Sequence, residues 1–399
     1  MEKEAVLTSQ TKSTQKWILT LGIVFIALNL RPTITSVGPL ISSIRADFDL
    51  SNGLAGLLTT LPLLAFAALS PLAPKMGHRL GNERTVLIGL VILIIGIAIR
   101  SLDWVSSLFV GMALIGMGVA VCNVLLPGII KHRFPLQVGL MTSIYSTLMG
   151  LCASLASGLS VPLAFHFHFG WKNALLFWGI LAIVGAMIWA PQWRFRPRAA
   201  IHHGSSASRS PLWRSSLAWQ VTLFMGLQSL LYYSMVTWLP EILRHNGMEM
   251  ASAGWMLSLM QLVGLPASFV APVLADRYAN QRGIVACISL LYFIGLAGLL
   301  IGGNSIILTI WVVLLGLGQG ASISLSLTFL SIRAQNAEQA SELSGMAQSI
   351  GYLMAATGPI LIGFLFDQTH AWVAPLVLLL IVTLIMNAAG LGAGRNQYV

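Results

Sequence analysis

Twelve apolar runs, each long enough to cross a bilayer, follow one another along the chain with only short polar segments between them. They fall at about 17–41, 54–74, 85–102, 105–130, 137–163, 173–191, 217–240, 251–275, 284–303, 305–330, 341–366 and 373–393. A hydrocarbon core needs roughly 20 apolar residues per helix and leaves no water to satisfy exposed backbone groups. The pattern therefore predicts an all-α integral membrane protein with twelve transmembrane helices. Charged residues are only 9% of the 399 and hydrophobic ones 56%, whereas soluble domains are about 25% charged.

The net charge of +10 follows the topology and does not signal nucleic-acid binding. Of the basic residues other than Arg31, seventeen fall in alternate segments on the side of the N-terminus. Four, namely Arg45, Arg100, Lys172 and Arg244, fall on the other side. Cytoplasmic loops carry the Lys/Arg excess, which predicts that both termini are cytoplasmic. Anionic lipid is a second use of the same charge. Cys122, Cys152 and Cys287 lie within predicted helices and suggest no disulfide framework. The polar leader 1–16 precedes a long apolar run without a small-residue cleavage site, so the first helix is read as retained.

Internal comparison divides the chain at a basic segment, 192–216, which holds Arg194, Arg196, Arg198, Arg209 and Arg214. Pro71–Arg79 with Arg84 corresponds to Ala271–Arg277 with Arg282 at an offset of 198. Gly116, Gly118 and Arg133 recur as Gly316, Gly318 and Arg333 at an offset of 200. Pro162 matches Pro359 at 197, and Pro39 matches Pro240 at 201. Four correspondences near half the chain length predict a parallel duplication. The expected layout is a leader (1–16), a six-helix bundle (17–191), a linker (192–216), a second six-helix bundle (217–393) and a tail (394–399).

One charge breaks the apolar pattern. Arg31 lies within the first run, far from either end, and every Asp and Glu lies in a loop or at the end of a run, as Glu342 does. A guanidinium at that depth costs between roughly 2.5 and 17 kcal/mol, depending on how much water reaches it. Arg does not escape by losing its proton, so it must face protein or a watery cavity and find a partner. Pro32 beside it removes a backbone N–H and leaves the Leu28 carbonyl unpaired. Irregular backbone at this depth is tolerated only where protein or cavity water satisfies it. The break and the charge are therefore expected at one wet site. The other reading has Arg31 binding carbonyls freed by the break.

The duplicated plan, with Leu274–Ala275–Asp276–Arg277 and Arg282 after the eighth helix, resembles the major facilitator superfamily. Pro272 stands in place of that motif's leading Gly, and in the first half His78 replaces its Asp. Asn29–Leu30–Arg31–Pro32, Thr35–Leu40, Leu57–Pro62 and Asn123–Pro127 followed by Lys131 are similar to the cyanate permease (CynX) group. Leu217–Phe224, Trp238–Pro240 and Leu343–Gln348 with Gly351–Tyr352 are similar to its 2-nitroimidazole transporter (NimT) branch. The resemblance implies two pseudo-symmetric six-helix bundles in a bacterial inner membrane. It also implies a permease for a small anion or a small polar heterocycle, with the first, fourth, seventh and tenth helices lining a central cavity.

Mid-depth polar residues then become the candidate substrate site: Arg31, Asn29, Asn123, Gln228, Tyr232, Gln261, Gln319, Gln348 and Tyr352. Amides both donate and accept, and Arg binds a flat oxygen-bearing group through parallel N–H bonds. Each amide has a second reading as interhelical glue. Tyr232 and Tyr233 are consecutive, so at most one is expected to face the cavity; Tyr145 reads as packing near a helix end. The Gly-rich stretches around Gly116 and Gly316 read as close-packing seams. Arg79, Arg84, Asp276, Arg277 and Arg282 are gating candidates, expected to join the two halves on the cytoplasmic side; the alternative is that they set topology alone.

These features predict a secondary or facilitative transporter working by alternating access, not an enzyme. No His-Glu-x-x-His pair, embedded Asp dyad or phosphate loop occurs. Expected partners are a small-molecule or small-anion substrate and membrane lipids, with no nucleic acid, metal or cofactor, around a monomeric chain. A broader drug or nitroheterocycle exporter and a non-transporting sensor are the alternatives.

Overall fold

The computed structural model describes residues 17–134, 137–194, 211–335 and 337–399. The leader 1–16 and most of the basic segment 192–216 lie outside the described residues. In chain order the principal helices are α1 (Trp17–Phe48), α2 (Asn52–Leu69), α3 (Asn82–Arg100), α4 (Val105–Arg133), α5 (Val138–Val161) and α6 (Gly170–Trp193). They continue with α7 (Ser216–His245), α8 (Met250–Arg277), α9 (Arg282–Ile301), α10 (Ser305–Ile332), α11 (Ala337–Thr369) and α12 (Val373–Ala393). Among the described residues there is no strand. Within those same residues eleven helices are long and apolar enough to cross a membrane.

The exception is α7. It is 30 residues long and buried along almost its whole length. Thr222, Gln228, Ser229, Ser234 and Thr237 are all buried on it. Its hydropathy is lower because its neighbours are other helices: α11, α12, α10 and α8 all pack against it. A helix with no lipid-facing stripe has less need of apolar side chains all round.

Glycine seams bring backbones together where lipid tails supply no hydrophobic drive between helices. In α3 and α4, Gly89 faces Gly118 and Gly96 faces Gly111. In α8 and α10, a Cβ on Gly320 would overlap the Gly264 carbonyl, and one on Gly316 would overlap Met260 O. Gly116 instead rests on Pro62 of α2, and Gly318 on Tyr292 of α9.

The same two bonds occur at both repeats. Arg84 Nε donates to Trp193 O at 3.1 Å, and Arg282 Nε donates to Leu391 O at 3.1 Å. Each ties the start of one helix (α3 or α9) to the end of another (α6 or α12). Arg133 pairs with Glu83 at 2.6 Å, and Arg333 donates to Gln281 at the corresponding place. The amide in the second copy keeps the bond without the charge.

At one end of the bundle α2 packs on α11 and α5 on α8. Asp367 on α11 accepts from the Asn52 and Gly53 amides at 3.0 and 2.7 Å, and from Asn52 Nδ2 at 2.6 Å. A carboxylate there caps the free N–H groups of α2 and meets its positive helix end. Nearer mid-depth, Thr59 bonds Thr237, Thr60 donates to Ala356 O and Ser154 bonds Ser258, each at 2.8 Å. Toward the opposite end, between α5, α8 and α10, a cavity takes the place of these contacts.

Gly320→Val is expected to wedge α8 from α10. Overpacking of a tight seam costs about 1–3 kcal/mol, read as a lowered Tm in detergent. An unchanged Tm would show that the seam tolerates a side chain.

Candidate substrate site

Arg31 sits where the first helix breaks. Regular helix ends at Asn29, Leu30 and Arg31 form a turn, and a four-residue helix Pro32–Thr35 follows. A second turn precedes the short Gly38–Leu40 segment, after which Ile41–Phe48 completes α1. Pro32 is the cause of the first break, and Pro39 begins the segment after the second.

The break is held from behind by a residue that sequence reasoning had placed in an outer loop. Arg100, the last residue of α3, is fully buried at 0% exposure. Its Nη1 donates to Thr33 O at 2.6 Å and its Nη2 to Leu175 O at 3.2 Å. Thr33 O is free to accept because Val37 N turns to Ile34 O instead. The carbonyl-binding role considered for Arg31 thus falls to Arg100. A charge near a run's end cannot be told from a loop charge by counting alone.

Arg31 is therefore left facing open space. It lines a cavity of about 370 Å³ with Tyr145 and Ala153 of α5, Tyr232 of α7, Gln261 of α8 and Gln319 of α10. Ser146, Phe269 and Leu327 are the exposed residues at its mouth. The guanidinium carbon lies 4.9 Å from the Tyr232 ring centre, within cation–π range. On its other side Arg31 borders a chamber of about 30 Å³, walled by Thr35, Phe66, Asn123, Tyr233 and Tyr352. That volume suits a single water or one small polar group. Tyr352 stacks on Phe66 at 5.2 Å between ring centres. No carboxylate lines either space.

Of the nine sequence candidates, Arg31, Tyr232, Gln261 and Gln319 meet at the large cavity, and Asn123 and Tyr352 at the small chamber. Three are not brought there. Asn29 Nδ2 donates to Phe25 O at 2.7 Å and to Leu181 O of α6 at 2.9 Å. Gln228 donates to Ser229 Oγ at 2.7 Å, and Gln348 to Ser344 Oγ at 2.8 Å. Depth in a helix says nothing about which face a side chain occupies.

Tyr232 and Tyr233 point apart, as their adjacency requires: Tyr232 lines the large cavity and Tyr233 the small chamber. One expectation is corrected. Tyr145 lines the cavity rather than packing near a helix end, as do other residues of α5 and α8. The lining thus extends beyond the first, fourth, seventh and tenth helices.

The gating candidates do not meet across the halves in this conformation. Arg84 and Arg282 hold the within-half bonds already described, while Arg79, Asp276 and Arg277 are exposed. Lys172 with Asp103 and Asp47, Arg133 with Glu83, and Arg244 with Glu241 each pair within one half.

A mid-depth cationic cavity in an all-helical bundle defines a solute transporter. The chain belongs to the major facilitator superfamily, whose family model matches residues 19–356 and 242–393. It is a transporter and not an enzyme. It is 57% identical over 383 residues to the uncharacterized transporter YycB of Bacillus subtilis (96% of this chain, 94% of that one). It is 44% identical over 382 residues to the 2-nitroimidazole transporter of Escherichia coli (96% of each chain). To the cyanate transport protein CynX of Escherichia coli it is 27% identical over 346 residues (86% and 89%). In fold it is similar to the nucleoside transporter NupG, with a TM-score of 0.79 at 12% identity over 94% of this chain and 100% of that one. These relatives place it in the CynX/NimT group.

Arg100→Leu is expected to leave two buried carbonyls unpaired at the α1 break. Hydrogen bonds to a charged group contribute about 1.5–3 kcal/mol each, so Tm in detergent should fall by several degrees. Arg100→Lys, which keeps one donor, should recover part of the loss. Equal stability of all three proteins would show that the break needs no support from α3.

Proposed function

We propose that the protein moves a small planar solute bearing a flat oxygen-rich group across the bacterial inner membrane, with Arg31 as the cation that pairs with it. The observation carrying this reading is the Arg31 guanidinium, open to a cavity without a carboxylate and walled by tyrosines. A cavity of about 370 Å³ is within the usual range for small-molecule sites. Tyr145, Tyr232 and Phe269 give it aromatic walls, which suit a flat ring better than a linear three-atom anion. The 44% identity to a 2-nitroimidazole transporter favours the same side of that choice over cyanate.

Twelve spans in two six-helix halves, 17–191 and 217–393, would rock about this site by alternating access. With both termini cytoplasmic, as the basic loops favour, the cavity faces inward and the Asp367 contact closes the outer side. Substrate moves the equilibrium only by binding the occluded state better than the open ones. The exposed Asp276 and Arg277, with Arg79, are then the groups available to join the halves when the inner side shuts. The cavity has no acid to carry a proton, which leaves exchange, facilitated diffusion or a proton riding on the substrate. Uptake or export follows from the direction of the gradient, and the chain would act as a monomer.

Liposome flux with 2-nitroimidazole, benzoate and cyanate tests the reading. Arg31→Ala should lower flux of the transported solute at least about tenfold, the effect of losing bonds to a charged donor, with normal insertion and Tm. Undiminished flux through Arg31→Ala would remove Arg31 from the mechanism.

A further inference from the structure

Gln261 is an amide whose two ends meet different surroundings. Its Nε2 lies 2.7 Å from Ser157 Oγ of α5 and 3.4 Å from the Leu257 carbonyl of its own helix. Ser157 Oγ has two carbonyls for its one hydroxyl hydrogen, Ala153 O at 3.0 Å and Thr35 O at 3.4 Å, and with either of them bound it accepts from Gln261. The Leu257 carbonyl is likewise an acceptor. Turning the amide over would set its oxygen against the Leu257 carbonyl and lose the donor to it, so the hydrogen-bond network assigns nitrogen to this end.

The other end is thereby fixed as an acceptor. Gln261 lines the large cavity with Arg31 and is 8% exposed, and its Oε1 is buried without a partner. Across the α8–α10 seam Gln319 also lines the cavity, with its Nε2 buried and unpartnered. The wall therefore offers one acceptor beside donors, in a chamber with no carboxylate. An unpaired buried acceptor is destabilising until a donor reaches it.

We infer that Gln261 is a specificity-determining residue whose carbonyl oxygen takes a hydrogen bond from an N–H on the substrate. The inference rests on the substrate reading proposed above and narrows it. The preferred solutes are planar heteroaromatics carrying both a flat acceptor group for Arg31 and a ring N–H for Gln261. Simple carboxylates and N-alkylated rings offer only the first. A site built to bond a donor rejects most strongly the analogue that lacks it, because its own polar group is left unpaired. The bond also has a mechanical consequence. Gln261 and Ser157 lie on opposite sides of the α5–α8 contact, so a ligand on Oε1 holds the amide that joins the two halves.

The test compares flux of 2-nitroimidazole with that of 1-methyl-2-nitroimidazole, which keeps ring and nitro group but has no N–H, through the native protein in liposomes. The methylated probe should show a KM at least about tenfold higher, as expected for loss of one buried bond. In Gln261→Met, of similar length but without the amide, the two probes should converge, chiefly by loss of affinity for the unmethylated one. Equal KM values in the native protein, or discrimination that persists in Gln261→Met, overturn the assignment of Gln261 while leaving Arg31 in place. Flux of neither probe overturns the substrate reading and this inference with it. The native comparison stands alone should Gln261→Met fail to fold.

Discussion

A guanidinium buried among apolar helices must be solvated by something, and this chain solves that problem twice with opposite outcomes. Arg100 is sealed against the Thr33 carbonyl at the broken first helix and the Leu175 carbonyl of the sixth. Arg31, a few residues along the same break, has its charge spread over a tyrosine face and opens to a cavity. The first arrangement makes the second feasible. With Thr33 O bound by Arg100, the break is satisfied without Arg31, which faces the cavity. The irregular backbone of α1 is thus tolerated because protein satisfies the carbonyl it frees.

The duplication shows how much of a repeat survives at the level of bonds. Arg84 to Trp193 and Arg282 to Leu391 are the same contact in two copies, as are Arg133 with Glu83 and Arg333 with Gln281. All four lie near the ends of helices, where each copy must brace itself against its own neighbours. The central residues show no such correspondence. Arg31 in the first half has Tyr232 in the second near its repeat position, and the two are in contact. The site is asymmetric inside a symmetric frame, as expected where a single ligand occupies the pseudo-axis.

Much of the frame was readable from the chain. Long apolar runs located the helices, since lipid demands continuous hydrophobicity, and Pro32 marked the break because proline cannot complete the backbone ladder. The α7 helix, diluted by Thr222, Gln228 and Ser234, shows where hydropathy weakens as a guide, because a helix surrounded by protein is freed from lipid. The site was readable only in part. Arg31 stood out through its cost, and Tyr232, Gln261 and Gln319 through polarity at depth. Asn29, Gln228 and Gln348 had the same signal and face other helices or their own. Tyr145 reads as packing from its position, yet it lines the cavity beside Arg31.

By itself the sequence determined that the chain is membrane-embedded, that matching segments recur about half a chain apart, and that one uncompensated cation lies deep in its first helix. Those conclusions depend on composition along a line, where lipid and charge impose costs that no packing arrangement removes. Only the tertiary structure decided that Arg100 is buried and Arg31 accessible, and which amides share the cavity. It also decided that the Gln261 oxygen is the free end of its amide. Such matters depend on helix rotation and on neighbours from distant segments such as Ser157, and a one-dimensional pattern carries no information about either.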